Sequence, residues 1–158
     1  MNWMKIILAT MLLVLSTGSH AVSKDAFNVV YTAKGDFGFI RDSVAAAVEG
    51  KGLKINHFNK ISEMLDNTSA AVGDTKKIYL NAEQMEFCSA TLSRQMMQAD
   101  PHSVVMCPYI ISVYNLPADP NTIYVSYRKL PLGSTPKSQA ALRAVDTLYK
   151  NIIKEGIQ

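Results

Sequence analysis

The chain has 158 residues, 48% hydrophobic and 18% charged, with a formal net charge of +3. It holds no lysine or arginine block and no interleaving of basic with aromatic residues, which argues against nucleic acid as a partner. Two cysteines are too few to build a disulfide scaffold, so the fold must rest mainly on a hydrophobic core.

Met1 to Ala21 has a basic residue at Lys5, an apolar run from Ile6 to Leu15 and a polar end at Ser19-His20-Ala21. That is the pattern of a secretory leader cut after Ala21. The run of about ten residues is too short to span a bilayer. The expected product is exported, periplasmic in a Gram-negative cell, with no transmembrane segment after cleavage. Removing 21 of the 158 residues leaves 137, from 22 to 158, enough for one domain and too few for two. Lys5 is the leader's only charge, so the remainder carries 15 basic against 13 acidic residues, close to neutral.

Val22 to Ala26 reads as a frayed lead-in. Phe27 to Ala33 alternates Phe27, Val29 and Tyr31 with Asn28, Val30 and Thr32, predicting a strand with one apolar face. Gly35 and Asp36 turn the chain, and Asp36 can cap a helix to about Glu49 with Ile40, Val44, Ala47 and Val48 on one stripe. Lys54 to Ile61 predicts a second strand and Ser62 to Gly73 a short helix or turn with a polar loop. Lys77 to Phe87 supplies a third strand. From Cys88, Leu92, Met96 and Met97 recur at helical spacing, and Asp100-Pro101 must stop that helix. Ser103 to Tyr114 is dense in β-branched and aromatic residues and predicts a strand. Leu116 to Asn121 is a turn, and Thr122 to Arg128 returns as a hairpin partner. Ser138 to Ile153 is a terminal helix with Leu142, Val145, Leu148, Tyr149 and Ile152 on one face.

The expected architecture is α+β. It has a largely antiparallel five-stranded sheet with helices packed on one face, built from two strand–helix–strand units plus a C-terminal helix. The far face of that sheet is the natural place for a ligand or partner.

The segments YTAKGDFGFIRDSV and ADPHSVVMCPYIISVY, with the return Ile123-Tyr124-Val125-Ser126-Tyr127, resemble the bacterial domain of unknown function 302 family. The resemblance spans nearly all of the chain after Ala21. It implies a compact α+β domain and brings no settled reaction, substrate or cofactor. Where many members read Pro-Cys, this chain reads Cys107-Pro108.

Cys88 and Cys107 are the sharpest candidates. About 11 helical residues carry the chain out roughly 16 Å, and a strand from Ser103 to Cys107 brings it back about 13 Å, which returns Cys107 to the level of Cys88. Three readings stay open: a structural bridge, two unlinked buried thiols, or a redox or metal pair. A bridge closing a loop of about 19 residues contributes on the order of 3 kcal/mol. A thiol at a helix N-terminus has its thiolate favoured by the macrodipole, and two such thiols could share Cu(I), Zn or haem iron. His102 lies at the turn, far along the excursion, and is the poorest member of the metal candidates Cys88, Cys107 and His102. Tyr109, Tyr124 and Tyr127 are the candidates for an aromatic ligand pocket, with Tyr124 on the face opposite Tyr127.

Serine-protease, P-loop, dinucleotide and zinc-hydrolase patterns are all missing, and no histidine is placed to serve Cys88 as a base. The residues therefore point away from an enzyme and toward a small exported binding or accessory domain, its cofactor and ligand unspecified. Its partner would be a small molecule or a periplasmic protein, and a homodimer is left open. The rival reading is a periplasmic redox, soft-metal or haem-handling protein using Cys88 and Cys107.

Overall fold

The computed structural model describes residues 21–24 and 26–158. The expected leader, Met1 to Ala21, lies outside the described residues except for Ala21 itself. In chain order the elements are β1 (Val22–Lys24), β2 (Asn28–Lys34), α1 (Phe37–Gly50), β3 (Ile55–Lys60), α2 (Ile61–Val72), β4 (Asn81–Phe87) and α3 (Ala90–Ala99). A 3₁₀ helix (Pro101–Met106), β5 (Tyr109–Leu116), β6 (Asp119–Arg128) and α4 (Pro136–Gly156) complete the chain.

The strands form one sheet in the order β1-β2-β6-β5-β4-β3 with every neighbouring pair antiparallel. Three strands separate β2 from β3, so α1 must cross the sheet, and it packs on β6, β5 and β3 as it goes. Period-two alternation decides which side chains it meets. Val29, Tyr31, Met85, Phe87, Tyr109, Ile111, Val113, Ile123, Val125 and Tyr127 point to the inner face, where α1, α3 and α4 cover them. Val44 and Val48 of α1 and Ile152 and Ile153 of α4 are fully buried in that layer. The second helix, α2, packs against β4 and gives no residue to this core.

Among the described residues the sheet has six strands rather than the five expected. The extra one is β1, paired with β2 through Val22↔Tyr31, Ser23↔Val30 and Lys24↔Val29. All three of its residues are exposed, so it carries no apolar alternation to read, and the open edge of β2 sets its register.

The second correction concerns Ser103 to Cys107, which coils instead of extending. Asp100 accepts a hydrogen bond from the His102 amide at 3.0 Å and Pro101 opens the 3₁₀ turn. Val104 and Val105 are 57% and 75% exposed, so their β-branched side chains have no pleated surface to pack on and their propensity is overridden. The strand begins only at Tyr109, after a cis Cys107-Pro108 bond. Lys77 to Leu80, expected in the third strand, likewise precedes β4. Among the described residues no helix is long and apolar enough to cross a membrane.

Candidate functional site

β4 delivers Cys88 to the start of α3, but the N-cap is Ser89, whose hydroxyl accepts from the Leu92 amide at 3.3 Å. Cys88 thus sits one residue outside the helix. At the other end of the excursion the Cys107 amide closes the 3₁₀ turn on the Val104 carbonyl at 3.1 Å. The two thiols meet there: the Cys107 sulfur and the backbone N–H of Tyr109 both lie close enough to the Cys88 thiol to act on its ionisation. Ser93, one turn into α3, lies 3.4 Å from the Cys107 sulfur and donates to the Tyr109 hydroxyl at 3.1 Å. Cys88, Cys107 and Tyr109 therefore come together, joined by Ser93, which the sequence did not single out. Both cysteines are partly buried and unlinked.

The cluster's electrostatics run against an activated thiol. Burial first, and then the neighbouring Cys107 sulfur, push the Cys88 thiol up from its ordinary value, while the Tyr109 amide opposes them. Ser89 takes the N-cap position and leaves the Cys88 thiol one residue outside the helix, where burial outweighs any help from the helix end. His102 is exposed, and among the described residues no group of three or more histidines, cysteines or acids is placed to hold a metal ion. The structure does not bring His102 to the thiols.

The three candidate tyrosines divide between faces. Tyr109 and Tyr127 are buried on the inner face with Tyr149 of α4, which stacks on Tyr127 at 4.5 Å between ring centres and lies 5.8 Å from Tyr109. Tyr127 donates to an Asp146 carboxylate oxygen at 2.7 Å. Tyr124 lies on the outer face, stacked on Tyr114 at 5.1 Å. The sheet itself therefore separates Tyr124 from Tyr109 and Tyr127.

A groove does open on the outer face, at a notch in the sheet. The β5–β6 ladder begins at Ile111↔Tyr127, so the Ile110 amide has no β6 partner and donates instead to the Tyr149 hydroxyl at 3.0 Å. The groove over this notch holds about 180 Å³. Asn28, Arg128, Ser126, Ser112 and Gln84 form its polar wall, in the register Asn28↔Arg128 and Ser126↔Ser112↔Gln84, with Phe27, Pro108 and Ile110 as its apolar part.

Two features set it apart from a plain crease. The Asn28 side-chain oxygen is buried with no hydrogen-bond donor, and such an acceptor is costly to leave unmade. Arg128 pairs with no carboxylate among the described residues. It lies close enough to the Tyr149 phenol to favour its ionised form, against the larger effect of burial, which holds the phenol protonated. The sequence marked Asn28 only as a polar residue alternating with Val29. Its partner across the sheet is 100 residues away, and that non-local register was the missing signal.

A family model for the domain of unknown function DUF302 matches residues 29–154. The crystal structure of an uncharacterized conserved protein DUF302 from Bacillus stearothermophilus is similar to the chain with a TM-score of 0.69 at 9% identity, covering 85% of this chain and 100% of that one. At that identity the likeness shows the fold alone. No curated protein matches the chain.

Proposed function

The chain belongs to the DUF302 family, a domain of unknown function, and on that premise we propose that it is an exported binding or accessory domain that holds a small polar anion in the notch of its outer sheet face. The observation that carries this reading is the buried, unpartnered oxygen of Asn28 beside the unpaired guanidinium of Arg128. Together they ask for a molecule with a carboxylate for Arg128 and a hydroxyl or amino donor for Asn28. Ser112, Ser126 and Gln84 supply further groups along the wall. A groove of about 180 Å³ limits the occupant to a few heavy atoms beyond its carboxylate.

Export through a leader ending at Ala21 would bring the domain to the periplasm. There the thiol pair serves as a structural bridge between the start of α3 and the end of the 3₁₀ turn. The closeness of the two sulfurs supports the bridge, and burial that pushes the Cys88 thiol up argues against redox catalysis or metal handling.

Calorimetric titration with short carboxylates, each with and without a hydroxyl or amino group, tests the notch. Binding is expected only for members carrying both groups, and Arg128→Ala should abolish it without moving the unfolding midpoint. A wild type that binds none of them, or an Arg128→Ala protein that binds them equally well, would overturn the proposal.

A further inference from the structure

We infer that a second groove, on the inner side of the sheet beside α4, binds a single-chain anionic amphiphile: a carboxylate or phosphate head on a short hydrocarbon tail. This groove holds about 250 Å³ and lies between the β1–β2 edge, α4 and the segment Lys129–Gly133 that links β6 to α4. It stands apart from the outer notch, which it meets only at Tyr127 and Leu130.

Its walls divide by chemistry. Val29, Leu130, Pro131, Leu132, Leu142 and the ring of Tyr127 line it with hydrocarbon, and Leu132 is 96% exposed at its lip. Lys24, Lys129, Arg143 and Lys150 bring four cations to the same groove against a single acid, Asp146. That acid is already engaged, accepting from the Tyr127 hydroxyl and pairing with Lys150. Lys24, Lys129 and Arg143 have no ion-pair partner among the described residues, and all three are exposed.

Three unneutralised cations converging on one groove raise the local concentration of anions. They do not by themselves select a tail. The apolar lining does, because a bare phosphate or acetate would leave those leucines facing water, whereas a chain covers them. With a methylene taking a volume similar to the ~30 Å³ share of a water molecule, the groove has room for roughly eight carbons. Longer chains must trail past Leu132 into solvent.

Decanoate, decyl phosphate, acetate and decanol, titrated separately into the full chain, test the assignment. Decanoate and decyl phosphate should bind while acetate and decanol do not, and affinity should rise about fourfold per methylene from hexanoate to octanoate. The double variant Lys129→Ala/Arg143→Ala should weaken decanoate at least tenfold with an unchanged unfolding midpoint, since both side chains are exposed. Arg128→Ala, which empties the outer notch, should leave decanoate binding intact, so the two sites fail separately. Equal binding by the double variant, or acetate binding as well as decanoate, would overturn the inference. So would binding to phosphatidylglycerol vesicles with none to decanoate, because the groove would then be reading a membrane surface and not a free amphiphile.

Discussion

Gly156 offers the most direct test of how the helical layer is packed. It is buried near the end of α4, where a Cβ would stand 2.7 Å from the Val44 Cα, 2.8 Å from its Cγ2 and 3.0 Å from its backbone nitrogen. Val44 is itself fully buried in α1, so two of those three atoms are backbone that no rotamer change can move. Overpacking of this kind costs about 1–3 kcal/mol, and a backbone clash belongs in the upper half of that range. The better helix propensity of alanine returns at most about 1 kcal/mol. Gly156→Ala should therefore destabilise by about 1–2 kcal/mol. With an unfolding entropy of about 2.1 cal/mol/K per residue, the melting temperature of a domain spanning 22–158 should fall by about 3–7 °C. Gly50→Ala is the control, because a Cβ there would meet only the Glu155 carboxylate, at 3.8 Å, an ordinary contact. Thermal and urea unfolding of both variants decide the matter. If Gly156→Ala melts with the wild type, or Gly50→Ala falls as far, close approach of α1 and α4 at this glycine is not what fixes their packing.

Thr135 caps α4, accepting from the Ser138 amide at 3.1 Å while Ser138 returns a bond to the Thr135 amide. Thr135→Ala should cost about 1 kcal/mol in urea unfolding, and no loss would mean that the box is incidental. Asn28→Leu removes the orphaned acceptor and should stabilise the unliganded fold by up to about 1–3 kcal/mol while eliminating carboxylate binding; a destabilised variant would show that the oxygen already has a partner. Protein taken from an oxidising compartment should show no free thiols when denatured and a mass two daltons below the reduced form, and Cys88→Ser/Cys107→Ser should lose on the order of 3 kcal/mol. Two titratable thiols would refute the bridge. Burial raises the phenols of Tyr127 and Tyr149 above their ordinary value, Tyr127 further through its bond to Asp146. Unfolded tyrosines ionise near pH 10, so this stability is fully present below about pH 10 and is lost as the pH climbs from there toward the folded values. Melting temperatures at pH 9 and pH 11 should show the fall, and Tyr149→Phe should flatten it; a wild-type profile level across that range would contradict the argument.

The thiol meeting was anticipated by a route the structure overturns. Cys107 returns to Cys88 although Ser103 to Met106 is coiled, because the 3₁₀ turn and the start of β5 reverse the chain within the same few residues. Helix and strand extents measured along the chain were a poor guide to that distance. A hydrogen-bonding side chain such as Asp100 next to a proline outweighs the preference of two exposed valines.

Local pattern was enough for whatever depends on one segment and its own face. The apolar stripe of α1, the alternation of β2 and the amphipathic α4 were legible because burial imposes a period of 3.6 or 2 on the residues themselves. The family resemblance was legible for the same reason, as a set of short motifs in order. The strand order, the edge strand β1 and the notch holding Asn28 and Arg128 were decided only in three dimensions. Each depends on which strand lies beside which and in what register. A residue's own neighbours in sequence carry no record of that choice, which is settled by the whole core closing at once.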